Sequence, residues 1–173
     1  ATLREGLVMT PDDLSYGQRF ARAKALYQSW AYKESREEFQ RFIKDKTRSE
    51  TAKWHIAQIG LNKERDDFAI AEEYFGELAR GTSKYADESL YQYARSLMRQ
   101  ERYEECIREL DNYERRFPSG SRIELIYYYR GWLFYDRREN KKAIKGFKAY
   151  IKRYGRKGRR TTYIHGFLAW AYM

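Results

Sequence analysis

Two histidines, one cysteine and a set of adjacent carboxylates are the residues of this chain equipped for bond-making chemistry. An imidazole beside a carboxylate or a thiol would act as a general base, and the activated thiolate as a nucleophile. His55 and His165 belong to helical segments three hairpins apart. Cys106 falls where its helix needs a small residue, so it reads as a buried packing side chain rather than a nucleophile. No Cys or His cluster has metal-ligand spacing, and no glycine-rich loop could cradle a phosphate. The pairs Asp66-Asp67, Glu72-Glu73 and Glu104-Glu105 lie on helices expected to face solvent, whereas a catalytic carboxylate needs a cleft that perturbs it. These residues point away from an enzyme and imply neither metal nor cofactor.

The other chemistry available is recognition. The chain of 173 residues holds 17 tyrosines, four tryptophans and a net charge of +10. The charge is concentrated: Lys141, Lys142, Lys145, Lys148, Lys152, Arg153, Arg156, Lys157, Arg159 and Arg160 stand in one segment with no acidic residue among them. The rest of the chain is balanced. Such a segment is a solvated helix face, a site for an acidic protein surface, or a non-specific contact for nucleic acid or anionic lipid. The interleaved Phe147, Tyr150, Ile151 and Tyr154 sit at helical spacing, as core residues would, and nothing resembles a base-reading module.

The elements that carry these residues follow from an internal repeat. A small residue is followed four positions later by a large apolar one, and three later by another. The sets are Ser35, Phe39, Phe42; Ala71, Phe75, Leu78; Cys106, Leu110, Tyr113; and Ala143, Phe147, Tyr150. A second helical pattern precedes each, pairing Ala23 with Leu26, Ala94 with Leu97 and Gly131 with Phe134. The second copy is less regular, with Ala57 then Gly60, and a fifth begins at Ala169 and Tyr172. Steps of three and four place each set on one helix face. Two helices approach closely where one presents a small side chain, and the large neighbour fills the space beside it. With few prolines and glycines at the boundaries, the pattern predicts an all-α chain with helices near 11–30, 33–46, 50–63, 67–80, 84–100, 103–116, 121–138, 140–154 and 160–173. Thr10-Pro11-Asp12-Asp13 is expected to start the first helix, and Thr47 with Glu50 and Ser121 with Glu124 to form capping boxes.

At this point the repeat resembles the tetratricopeptide family. Leu90, Tyr93-Ala94, Leu97, Cys106, Leu110 and Pro118 carry the likeness best, supported by Arg130-Gly131, Phe134, Ala143 and Phe147. The resemblance implies a right-handed α-solenoid of about four and a half repeats in one domain over 1–173, with hairpins about 11–46, 50–80, 84–116 and 121–154 and a partial one at 160–173. Phrases such as Ser83-Lys-Tyr-Ala-Asp-Glu-Ser-Leu-Tyr91 and Arg115-Arg-Phe-Pro-Ser119 are similar to a bacterial branch that includes outer-membrane assembly lipoproteins and periplasmic partners of envelope machines. They are also similar to the superhelical region of soluble lytic transglycosylases.

The likeness implies a scaffold that binds a protein or peptide, an acidic one among the candidates, in a groove lined by the first helix of each hairpin. Carried over copy by copy, the groove residues are Phe20, Lys24, Tyr27 and Gln28; Trp54, Gln58 and Asn62; Tyr91, Arg95, Met98 and Arg99; Tyr128, Trp132, Tyr135 and Asp136; and Trp170. Tyr27, Trp54, Tyr91, Arg95, Arg99, Tyr128, Trp132, Tyr135 and Trp170 are the expected anchors, because Tyr, Trp and Arg dominate interface energetics. The alternative implied function is the non-catalytic superhelical region of a larger enzyme. The bacterial periplasm or cell envelope is the implied location, with the cytoplasm as alternative. Nucleic acid or an anionic membrane surface is the secondary choice of partner. The segment 123–135 is apolar nearly all round, which predicts burial on several sides or a partner. Tyr163 to Met173 reads as an apolar helix without a cap, and with Ala1 at the start the sequence is expected to be a fragment of a longer chain.

Overall fold

The computed structural model describes residues 14–62 and 67–172. Among these residues the chain is all-α, with no strand, and consecutive helices pack against one another. The elements are α1 (Tyr16–Gln28), α2 (Tyr32–Gln40), α3 (Ser49–Gly60), α4 (Phe68–Arg80), α5 (Ala86–Arg99), α6 (Tyr103–Arg116), α7 (Ile123–Asp136), α8 (Asn140–Tyr154) and α9 (Thr161–Ala171), with a short 3-10 turn at Gly155–Lys157. No helix among the described residues is long and apolar enough to cross a membrane. The chain divides into two compact units, the first ending at Tyr74 and the second beginning at Phe75.

The repeating residues are the core. All twelve, from Ser35 to Tyr150, are buried. In the first unit Ser35 donates its hydroxyl to the Ala23 carbonyl at 2.9 Å. In the second, the Cys106 thiol donates to the Ala94 carbonyl at 3.2 Å. The same small-on-small approach thus recurs with a polar atom turned to the facing backbone. In the α7–α8 pair it is closest: a Cβ on Gly146 would lie 2.8 Å from the Gly131 Cα, and one on Gly131 would lie 2.5 Å from the Phe147 ring. The second copy has a different register from that expected. Gly60, not Ala57, faces Ala71, since a Cβ on Gly60 would meet the Ala71 nitrogen at 3.3 Å. Ala57 is buried on the same helix, one turn earlier.

Three hairpin turns are alike. Trp30, Glu101 and Arg138 take positive φ (66°, 59° and 58°). In each turn the following N–H closes back onto the helix: Ala31 to Leu26 at 2.9 Å, Arg102 to Leu97 at 3.0 Å, Glu139 to Phe134 at 2.9 Å. This is the Schellman arrangement, which satisfies a terminal carbonyl and reverses the chain within a few residues. Leu26, Leu97 and Phe134, the bulky members of the first-helix pattern, are therefore also the acceptors that end their helices.

Several expected boundaries move. Thr10 to Asp13 lie outside the described residues; α1 starts at Tyr16, capped by Ser15, whose hydroxyl accepts the Gln18 N–H while the Gln18 side chain accepts the Ser15 N–H. α2 ends at Gln40, short of residue 46, and turns follow. The boxes expected at Thr47–Glu50 and Ser121–Glu124 do not form, because carboxylates elsewhere take those N–H groups. Asp45 accepts the Thr47 and Arg48 N–H groups at 2.8 and 2.7 Å. Asp87 accepts the Ser121 N–H at 3.1 Å.

The last contact belongs to a joint that recurs in the second unit. The Tyr113 hydroxyl donates to Asp87 and accepts the Arg122 N–H at 3.0 Å. One repeat on, the Tyr150 hydroxyl donates to Glu124 at 2.5 Å and accepts the Arg160 N–H at 2.9 Å, while Glu124 accepts the Arg159 N–H at 2.6 Å. Each joint ties the first turn of one helix, the C-terminal end of the next and the start of the one after. It satisfies N–H groups that a helix start leaves without intrahelical partners. Gly120 and Gly158 precede these joints, and a Cβ at either would stand 2.5 Å from the tyrosine hydroxyl oxygen.

Candidate functional site

α7 organises the second unit because three consecutive tyrosines project from it roughly 100° apart. Tyr127 turns toward α6 and α8: its hydroxyl donates to Glu114, and its ring meets Tyr154 edge-on at 5.8 Å. Tyr128 turns toward the start of α9, with the Arg160 guanidinium 5.2 Å above its ring. Tyr129 turns toward α5, with its ring 6.3 Å from Tyr91. Trp132 packs against the clusters on both sides of α7, and Tyr135 meets Phe167 at 4.7 Å and Trp170 at 5.2 Å. The apolar circumference of this helix is therefore explained by neighbours on several sides.

One surface of the second unit joins arginines to these rings. Arg95 and Arg122 lie 5.7 and 5.4 Å from the Tyr91 ring centre, and Arg160 covers Tyr128. Tyr91 is buried, 5% exposed, and forms the floor under the two cations. Arg95 is held by the Gln92 side chain at 2.9 Å, and Arg122 by Glu88 at 2.6 Å. Beside them a cavity of about 450 Å³ is lined by Ser121, Arg122, Glu124, Leu125, Arg159 and Arg160. Burial raises the Tyr91 and Tyr128 phenols above their ordinary range, so both stay protonated near neutrality. A guanidinium resting on an aromatic face keeps N–H donors free at its edge, the geometry that takes a carboxylate.

The structure gathers Tyr91, Arg95, Tyr128 and Trp132 here, with Tyr135 and Trp170 further along α7 and α9; Trp170 is 52% exposed. Arg99 is half-buried at the end of α5. Tyr27 and Trp54 lie in the first unit, both against His55, at 4.6 and 5.0 Å. Arg122, Leu125 and Tyr129 were not among the expected groove residues. The signal for the first was present in the sequence: Gly120-Ser-Arg122 and Gly158-Arg-Arg160 follow the two joint tyrosines in the same order.

The residues suited to bond chemistry are placed otherwise. His55 stacks on Phe39 at 4.6 Å, and burial together with the Lys24 charge lowers its imidazole to about 4. Burial pushes the Cys106 thiol up to about 12. Glu104 and Glu105 are paired with Arg137 and Arg102 at 2.6 and 2.7 Å, which holds both carboxyls below their usual range. Of the basic segment, Lys142 pairs with Glu139 at 2.6 Å and Arg153 donates to Tyr127 and the Pro118 carbonyl. Lys141, Lys145, Lys148, Lys152, Arg156, Lys157 and Arg159 are exposed. Comparison of the chain with protein-family models and with curated proteins finds no match.

Proposed function

We propose that this chain is an interaction scaffold of tetratricopeptide-like hairpins that binds an extended, carboxylate-bearing peptide on the arginine–tyrosine surface of its second unit. One observation carries the reading: Arg95, Arg122 and Arg160 sit over Tyr91 and Tyr128 beside a cavity of about 450 Å³. The cations supply directed donors for side-chain or terminal carboxylates. Half-buried Tyr128 and Trp132 supply apolar area whose ordering cost is already met by the fold. The recurring close approach of small residues supports hairpins that continue one another as an α-solenoid. An envelope complex fits this reading, as does a place beside a catalytic domain in a longer enzyme.

The test is a displayed peptide library selected against the purified chain, followed by calorimetry on the selected peptides. Arg95→Ala with Arg160→Ala should weaken them at least about tenfold, or 1.4 kcal/mol, with the melting temperature little changed. Undiminished binding by that pair would overturn the proposal.

A further inference from the structure

The two clefts between alternate helices of the second unit differ in a way that points to a second binding surface. Between α4 and α6 the cleft is about 130 Å³, lined by Gly76, Ala79, Arg80, Tyr93 and Arg116 among others. Arg116 closes it by donating to the carbonyls of Ala79 and Gly81. Between α6 and α8 the corresponding cleft is about 500 Å³, with Ile107, Phe134, Gly146 and Ala149 among its lining. Here the arginine one repeat on, Arg153, reaches to Pro118 and Tyr127 and is not part of the lining. The second cleft is both larger and more apolar.

Its two edges also differ in charge. On the α6–α7 side, Arg130 and Asp111 neutralise each other at 2.7 Å. The other edge is α8, from which Lys142 and Lys145 line the cleft. Along α8 the exposed cations Lys141, Lys145, Lys148 and Lys152 recur at steps of four, three and four, which places them in one row about 16 Å long. Among the described residues no carboxylate lies within ion-pair distance of any of the four. Lys148 also lies 5.5 Å from the Tyr172 ring centre. An apolar slot beside a straight row of cations not neutralised by carboxylates matches one shape of ligand: a helix with an apolar stripe and acidic residues beside it, spaced by the same rise per residue. Nucleic acid would use the cations but leave the apolar slot empty. A flat membrane would meet the cations but not follow the cleft.

We propose that the α6–α8 cleft docks an acidic amphipathic helix of a partner protein. Aliphatic side chains of the partner enter beside Ile107, Phe134 and Ala149, and its Asp or Glu residues pair with Lys141, Lys145, Lys148 and Lys152. This surface is separate from the arginine–tyrosine surface and does not depend on it.

The probe is a fluorescent helix-forming peptide of about five turns with a leucine stripe flanked by glutamates, titrated into the full chain by anisotropy. The controls are the same composition scrambled to destroy the stripe, and vesicles of phosphatidylcholine with phosphatidylglycerol. The striped peptide should bind, with affinity falling as salt rises. Lys141→Glu with Lys145→Glu, both exposed, should weaken it at least about tenfold, and Ala149→Glu should do the same by blocking the slot. Arg95→Ala with Arg160→Ala should leave it unchanged, which separates failure here from failure of the peptide surface. The proposal is overturned by absent binding, by equal binding of the scrambled peptide, by vesicles that displace the striped one, or by affinity that survives the α8 reversals.

Discussion

The start of α3 in the first unit and the starts of α7 and α9 in the second are built from the same parts in different places. In all three a carboxylate accepts two successive backbone N–H groups or shares them with a tyrosine hydroxyl. In the second unit the acid stands in the first turn of a helix 34 or 35 residues earlier, and the tyrosine on the helix between. In the first unit Phe42 occupies the tyrosine's position. The acid is Asp45, two and three residues before the N–H groups it accepts, and the hydroxyl bonded to it comes from Tyr16 on α1. These hydrogen bonds, led by those from Thr47, hold the Asp45 carboxyl down at about 2. What is kept is the satisfaction of the N–H groups; which residues satisfy them is free to change. The local version fixes one helix start. The distant version makes three helices depend on one hydroxyl.

That contrast is open to direct test. The largest effect is expected at the glycines. Gly120→Ala and Gly158→Ala place a methyl against the joint tyrosine and should cost up to about 3 kcal/mol by overpacking. Lys46→Ala, two residues before Arg48 as Gly120 is before Arg122, should cost almost nothing in chemical denaturation. Equal losses at all three would show that the joints do not differ.

A smaller difference should appear on removing the hydroxyls alone. Tyr113→Phe and Tyr150→Phe each leave a carboxylate and an N–H without their shared partner and should cost about 1–2 kcal/mol. Tyr16→Phe should cost less, because Asp45 keeps its local N–H donors. Burial and Glu124 raise the Tyr150 phenol to about 12. Its contribution is therefore complete below the ordinary phenol range near 10 and is lost as pH rises through about 12. The Phe variant should lack that alkaline loss.

The smallest effect separates the units by pH. His55 is depressed, so its contribution is complete above the ordinary imidazole value near 6.5 and is lost as pH falls through about 4. Hydrogen exchange across this window should quicken in α2 and α3 and hold steady in α6 to α8. His55→Phe should remove the change. A parallel loss in both units would place the cause elsewhere.

Much of the packing was legible from residue types and spacing. Ser35, Ala71, Cys106 and Ala143 and their bulky neighbours are buried because a helix interface admits close approach only at small side chains, and that constraint is local and periodic. The role of Gly60 is hidden in the sequence because the position three residues on, where a bulky apolar companion is expected, holds Lys63, and Ala57 is another small residue one turn earlier. The capping-box spacings mislead for a different reason. Ser121–Glu124 has the right spacing, but Asp87 takes the Ser121 N–H from far along the chain while Glu124 is engaged by the Tyr150 hydroxyl and the Arg159 N–H, and no local pattern records that. At the candidate site, Arg95, Tyr128 and Trp132 could be selected by type and helix face. Arg122 and Tyr129 could not, since their roles depend on how α5 meets α7. That Tyr91 lies beneath the cations rather than beside them likewise required the packing to be seen.

Where α7 crosses α8, Gly146 meets the main chain at Gly131, and the Phe147 ring fills the space against Gly131. Ordinary interfaces between helices can give a little, since a leucine that changes rotamer lets its neighbours slide. A backbone crossing braced by one fully buried ring has little such slack. The two helices are expected to shift together, so a ligand docked against α8 should be felt at the tyrosines of α7.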